Sequence, residues 1–407
     1  RQFAFVWLGQ LVSVLGDQSF EVTLVWLIVG LTGSTVLLGS ILAAGYIPSL
    51  LLLVFGGISA DRLSRRGILL ASDLLRALVT MLFAALIIWG QVSVDAVFVF
   101  TIVFGAVGAF FAPALSALLP SLVPPEQYTP ANALRQTALQ VATLAGPALG
   151  GYLIARYNVG LALAFDAATF GFSVLAFILM GRPRFGKQDA TSSSRERLRF
   201  ADLGMGAKFL LGEQGMLSVS IIFSLANGIN NVVPVLLPVL ARSTLHISAF
   251  EFGLLVSFQG FGALLGAMLI GILGQPRHRL AVAICGGMGV FGLGIAAMGI
   301  APEVVYLFPI FFVAGFAFII SEIVSFTLWQ QIIPDNVRGR VFSVMGTITM
   351  GMNPLGFLLA GLLGQVFGIR QGLMIGGLAI AILCGLGLLI PSVRRLDARA
   401  AAVRVAA

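Results

Sequence analysis

Asp17 and Glu21 stand four residues apart in the otherwise apolar stretch LVSVLGDQSFEVTLVWL. In an α-helix, residues i and i+4 share a face one turn apart. Gln10 and Ser13 continue that polar stripe toward the start of the chain. Counted from Phe3, Asp17 lies about 21 Å along the run at ~1.5 Å per residue, close to mid-span. Charges at such depth are costly and mark ion or substrate pathways. Two stacked carboxylates in a low dielectric cannot both ionise cheaply, so at least one is expected to hold a proton. The chemistry this permits is exchange: ionised, the pair attracts a cation; protonated, it releases one. The alternative is that one acid is tied to an arginine or to a helix end.

Other polar groups fall inside apolar runs. Asn227, Asn230 and Asn231 cluster in NGINN, where three amides would be wasted on lipid and are expected to line a cavity. Gln259 and Glu322 join them; Glu322 has no basic residue at similar depth in a neighbouring run, so it protonates, binds a cation or serves as an interhelical hydrogen bond. Asp166 lies nearer the opposite face, beside an expected gate, and is a further candidate for proton coupling or substrate contact. Asp73 and Arg76, spaced i, i+3, read as a structural pair supporting the charged motif loop between spans two and three. Arg135 reads as an interfacial residue, the alternative being a cavity-facing arginine that attracts anions. Trp26, Phe110, Phe111, Phe223, Phe258, Phe326 and Trp329 are candidates for stacking or cation–π contacts with cargo. No lysine or arginine is expected at the centre, which favours cations over anions.

These residues need helices to hold them. Hydrophobic residues make up 59% of the 407, and runs of about 20 apolar residues match the hydrocarbon thickness. Twelve such runs are expected, from Phe3–Gly30 to Gln371–Pro391, including Met216–Leu240 as span seven and Leu280–Ile300 as span nine. Arg1, Arg62–Arg66, Arg135, the 182–208 group, Arg277, Arg279, Arg338, Arg340 and the tail fall on one side; only Arg156, Arg242 and Arg370 fall on the other. The positive-inside rule then places both termini in the cytoplasm. The net charge of +8 faces anionic lipid and calls for no nucleic acid. Cys285 and Cys384 sit in separate spans and read as small core residues, not a disulfide.

The polar stretch 181–214 divides the chain. The expected organisation is a six-helix bundle over 1–182, a cytoplasmic linker over 183–213 and a second six-helix bundle over 214–407. Ser193-x-x-Glu196 offers a capping box for an amphipathic linker helix lying on the inner leaflet, with Leu198, Ala201, Met205 and Phe209 on its apolar face. GPALGGYLIA at 146–155 and NPLGFLLAGL at 353–362 echo each other, as parallel transporter repeats do. The fold class is therefore all-α: twelve membrane helices in two pseudo-symmetric bundles.

GGISADRLSRRG concentrates charge between spans two and three. Gly57-x-x-x-Asp61-Arg62-x-x-Arg65-Arg66 resembles the loop signature of the major facilitator superfamily, in which it has a conformational role. Gly146-Pro147-x-x-Gly150-Gly151 resembles the tail of the antiporter motif of drug–proton exporters, although Ala142 replaces an upstream glycine. SDLLRAL (72–78), PEQYTPANAL (125–134) and IPDNVRGRVFS (333–343) resemble the branch with macrolide, multidrug and siderophore exporters. The resemblance implies a proton-coupled antiporter of amphipathic drugs, cationic or zwitterionic, working as a monomer in the inner (plasma) membrane by alternating access. Protons, membrane lipid and a small amphipathic substrate are its expected partners, with no cofactor and no metal. Export of an endogenous metabolite such as a siderophore, or lysolipid flipping, is the alternative. A receptor or enzyme is remote: there is no Walker motif, and His246 and His278 fall in loops.

Overall fold

Inside a bilayer every backbone N–H and C=O must find its partner within the protein, and the long apolar runs accordingly form helices. The computed structural model describes residues 2–181, 200–274, 276, 278–396 and 398, without the side chains at 53–54, 57–58, 60–62, 125, 129, 200–203 and 335–336. Among the described residues, twelve helices are long and apolar enough to span a membrane. They are built from α1 (Gln2–Thr32), α2 (Thr35–Arg62), α3 (Arg65–Ile88), α4 (Val94–Leu118), α5 (Tyr128–Arg156), α6 (Val159–Met180), α8 (Gln214–Asn230) with α9 (Val232–Val239), α10 (Ala249–Leu273), α11 (Gly287–Ile300), α12 (Val304–Ile332), α13 (Asp335–Phe367) and α14 (Ile369–Gly387). The short α7 (Phe200–Gly212) precedes α8, and α15 (Pro391–Arg394) follows α14.

Local chemistry sets the ends. The hydroxyls of Ser34, Ser64 and Ser93 and the Asn158 amide oxygen accept the free N–H groups of Leu37, Gly67, Ala96 and Leu161. Gly33 and Gly90, at φ 61° and 69°, turn the chain after α1 and α3 in a conformation that side chains resist.

The chain forms two units, Arg1–Ser193 with Ala241–Ser257, and Ser194–Leu240 with Phe258–Ala407. In the first, α1 lies against α5 and α6, α3 against α4 and α6, and α2 against α4. Small residues let these backbones approach: a Cβ on Gly9 would stand 2.7 Å from that of Ala176, and Gly105 faces the Gly45 carbonyl. In the second, α11 packs on α12 and α14, and α13 on α7 and α8. Gly292 and Gly377 abut each other there.

Two spans depart from regular helices. Span seven breaks after Asn230, and a π-helical turn, Leu240–Thr244, ends it. Pro234 and Pro238 have no N–H to offer the preceding turn, so the ladder cannot continue unbroken. Span nine opens with a second π turn, Val282–Gly286. Cys285 and Cys384 are buried and free. Ser193, Glu196 and Leu198 of the expected linker helix lie outside the described residues. The observed α7 packs on α13, with Gly206 against the Arg340 carbonyl and Met205 accepting from Arg340 Nη1 at 3.9 Å.

Candidate functional site: an acidic, aromatic-lined cavity in the first unit

A cavity of about 450 Å³ opens within the first unit, in the range of small-molecule sites. Helix α1 supplies one wall: Phe3, Val6, Trp7, Gln10, Val14, Asp17, Gln18 and Glu21 recur every three or four residues. Phe104, Gly108, Phe111, Leu115 and Leu119 come from α4 and the turn after it, Arg76 from α3, and Arg135 and Leu139 from α5. Since Phe3 begins α1, Arg135 lies near the start of α5 and Leu119 follows α4, the cavity reaches from one membrane face to mid-span.

Asp17 is half-buried in the wall, and Glu21 one turn further is exposed to the cavity. Gln10 lines it too, its Nε2 donating to Ser173 Oγ at 3.5 Å. The Arg76 guanidinium stands within electrostatic reach of Asp17, Asp73 and Asp166. Its Cζ sits 5.4, 5.0 and 5.5 Å from the ring centres of Phe104, Phe111 and Phe170, and Nε has no hydrogen-bond partner. Gly108 makes room for it, for a Cβ there would stand 2.8 Å from Arg76 Nη2.

Arg76 corrects two expectations. It is a cavity residue rather than a support for the motif loop, and it places a cation at the centre, where none was expected. Helix α3 begins at Arg65, so Arg76 sits about 16 Å in at ~1.5 Å per residue. Arg135 also lines the cavity instead of marking only an interface. Two carboxylates therefore face two guanidiniums, and charge alone no longer selects for cations.

Asp73 and Asp166 do not line the cavity; both are 0% exposed within the helices behind it. Phe111 lines the cavity, whereas Phe110 does not, and its backbone lies against Gly56. Trp26, 7% exposed, is packed away under Phe252 at 5.6 Å and Arg242 at 5.2 Å, and its carbonyl accepts from Arg242 Nη1 at 2.9 Å. Phe104, Trp7 and Gln18 are cavity residues that sequence reasoning missed. Their signal was helical spacing with Asp17 and Phe111.

The motif residues act in packing. Arg65 Nη1 donates to the Ala117 carbonyl at 2.8 Å and Arg66 Nε to that of Phe177 at 2.9 Å, capping the ends of α4 and α6. The side chains of Gly57, Asp61 and Arg62 lie outside the described residues. Gly146 and Gly150 press on Gln18 and Ser19 of α1, and Gly151 on Ala249. The Pro147 carbonyl lies against Gly253.

In the second unit the asparagines bind helix to helix. Asn227 Nδ2 donates to Asn353 Oδ1 at 2.8 Å and to the Thr349 carbonyl at 3.3 Å, and Asn231 Nδ2 reaches the same Asn353 Oδ1 at 3.2 Å. Asn230 Oδ1 is buried without a partner. Asn353 was not foreseen. Trp329 is 4% exposed and sits in the core, not on a cavity. Glu322 and Phe326 are exposed one turn apart on α12, with Phe326 5.0 Å from Phe342. Phe258 is exposed and meets Phe308 at 4.9 Å, while Gln259 and Phe223 are half-buried.

Comparison with known proteins adds a lineage. A family model described as a transmembrane secretion effector matches residues 1–405. The chain is 24% identical to macrolide efflux protein A of Streptococcus pyogenes, with 97% of each chain covered. It is 28% identical to the multidrug efflux pump Tap of Mycolicibacterium fortuitum, with 91% of each covered. Among solved structures it resembles the nucleoside transporter NupG, at TM-score 0.74 and 15% identity over 96% of this chain and 98% of that one. It also resembles a bacterial homologue of the human lysosomal transporter Spinster, at TM-score 0.75 and 14% identity over 99% and 97%.

Proposed function

The chain belongs to the transmembrane secretion effector family of major facilitator transporters, and from that premise we propose that it exports amphipathic, amine-bearing molecules in exchange for protons. It is a multi-pass protein of the cell membrane, the inner membrane in a bacterium, and a transporter rather than an enzyme. The observation that carries the proposal is the pairing of Asp17 and Glu21 on one cavity-facing side of α1.

Two acids a turn apart in a partly dehydrated cavity repel each other when both are ionised, so one proton between them is the low-energy state. A substrate ammonium arriving beside the ionised carboxylate adds a positive charge that the surrounding acids offset by giving up a proton. Cargo binding and protonation thereby oppose each other, which is the requirement of antiport. Trp7, Phe104 and Phe111 supply apolar and cation–π surface for a lipophilic body. Arg76 and Arg135 suit acceptor groups on the same molecule, which favours amines that also carry carbonyls or an acidic group, macrolides included. The arginine-rich side of the chain is the cytoplasmic one by the positive-inside rule. The cavity mouth, bounded by Phe3 and Arg135, then faces the cytoplasm and loads cargo from inside. Alternating access completes the cycle.

The test is transport in proteoliposomes under an imposed pH gradient, screened with tetraphenylphosphonium, a macrolide, a siderophore and a lysolipid. Gradient-driven movement of the cation and the macrolide is expected. Movement of lysolipid alone, indifferent to the gradient, would replace this reading with lipid flipping.

A further inference from the structure

Behind the cavity wall lies a second pair of acids. Asp73 on α3 and Asp166 on α6 are fully buried. Ser173 and Thr169 stand beside them, yet none of the four carboxylate oxygens makes a hydrogen bond of ordinary geometry. The Thr169 hydroxyl is already committed, donating to the Asp166 main-chain carbonyl at 2.7 Å. Among the described residues, the charged groups facing the pair are few. Helix α1 brings Asp17, with Glu21 a turn beyond; α3 brings Arg76; α4 offers only rings here, its Asp95 lying in its first turn. Helix α5 carries Arg135 at the cavity mouth and Arg156 at its far end.

One guanidinium thus stands among three aspartates. A carboxylate shut off from solvent, without a hydrogen-bond donor and sharing one counter-charge with two other acids, is too costly to remain ionised and takes a proton instead. The Arg76 head lies among three ring faces and its Nε makes no hydrogen bond, so it can turn between partners with little loss.

We propose that Arg76 is a shared counter-ion that couples cargo binding at Asp17 to proton release from the buried pair Asp73 and Asp166. With the cavity empty, Arg76 balances ionised Asp17, and both buried acids carry protons. A cargo ammonium binds the Asp17 carboxylate and takes over as its counter-ion. Arg76 turns to the buried pair, one of the two O–H bonds there breaks, and the proton leaves through the cavity. The cluster stays neutral throughout: one positive charge enters as cargo and one leaves as a proton. Arg76 is a positioning residue in this scheme, and Asp73 and Asp166 are the source of the exchanged proton. The inference rests on the antiport reading and adds where the proton comes from.

The test is the count of protons released when tetraphenylphosphonium binds the purified full-length protein in weakly buffered detergent solution. Wild type is expected to release about one proton per cation bound. The Asp73→Asn/Asp166→Asn double variant is expected to bind within about threefold of wild type and release none. Infrared difference spectra provide the second measurement: the protonated-carboxyl C=O absorption is expected to weaken on cation binding in wild type, and that weakening is expected to be missing from the double variant. A double variant that binds and still releases one proton overturns the inference while leaving antiport intact, since the proton then comes from Asp17 or Glu21. A double variant that cannot bind also overturns it, because the pair then belongs to the binding site or the fold. A wild type that binds without releasing protons defeats the antiport reading itself, and the inference with it.

Discussion

Gly16 of α1 lies so close to Asp166 of α6 that a single methyl group on it would stand 2.7 Å from Asp166 Oδ1. The neighbouring residue, Asp17, lines the cavity. The backbone of α1 is therefore the partition between the cavity acid and the buried one, and its thinness depends on a missing side chain. Gly16→Ala is expected to force α1 and α6 apart, with an overpacking cost of about 1–3 kcal/mol. Unfolding in detergent would register that loss, and gradient-driven transport should fall further than the folded fraction does.

Gly108→Ala separates the role of Arg76 from stability. The atom such a Cβ would meet is the end of a long flexible side chain, not backbone. The guanidinium should move while the helix packing holds. Transport is expected to drop at least fivefold with the unfolding midpoint nearly unchanged, checked by running both measurements on one preparation.

Competition between cargo and proton has a sign. If binding one cation releases one proton, lowering the pH opposes binding, and the apparent Kd rises about tenfold for each unit of pH decrease while the exchange is one for one. Titrating tetraphenylphosphonium into the protein across acid and neutral pH checks the slope. A flat profile would mean no proton is exchanged.

Asn353 holds two donors from α8 and its following turn on one oxygen. Interhelical hydrogen bonds in membranes are worth about 0.6 kcal/mol on average and about 1.7 at most. Asn353→Ala removes the acceptor for both amides and is expected to cost about 1–2 kcal/mol, read as an earlier unfolding transition in a denaturing-detergent titration.

Much of this was legible in the sequence, for physical reasons that also mark where it stops. Hydrocarbon thickness and backbone satisfaction leave long apolar runs little choice but to be spanning helices, so the twelve spans followed from hydropathy. Asp17, Glu21 and Gln10 share a face because they share one helix, and spacing alone shows that. The facing of Arg76 is not legible in the sequence because it depends on how α3 rolls against α4. Only the packing reveals that Gly108 and three rings open a place for a guanidinium at mid-membrane depth. Amides avoid lipid, so asparagines in span seven point to a cavity, but a second helix satisfies amides equally well, and Asn353 does so for Asn227 and Asn231. Trp329 followed the same pattern: a large ring near a span end suits cargo or core, and here it is core.

The most direct test of the central claim is proteoliposome transport of tetraphenylphosphonium by the Asp17→Asn/Glu21→Gln double variant beside wild type, with equal amounts of folded protein in each membrane. An imposed pH gradient is expected to drive transport in wild type, and this drive is expected to vanish in the double variant. Undiminished gradient-driven transport without either carboxylate would contradict it.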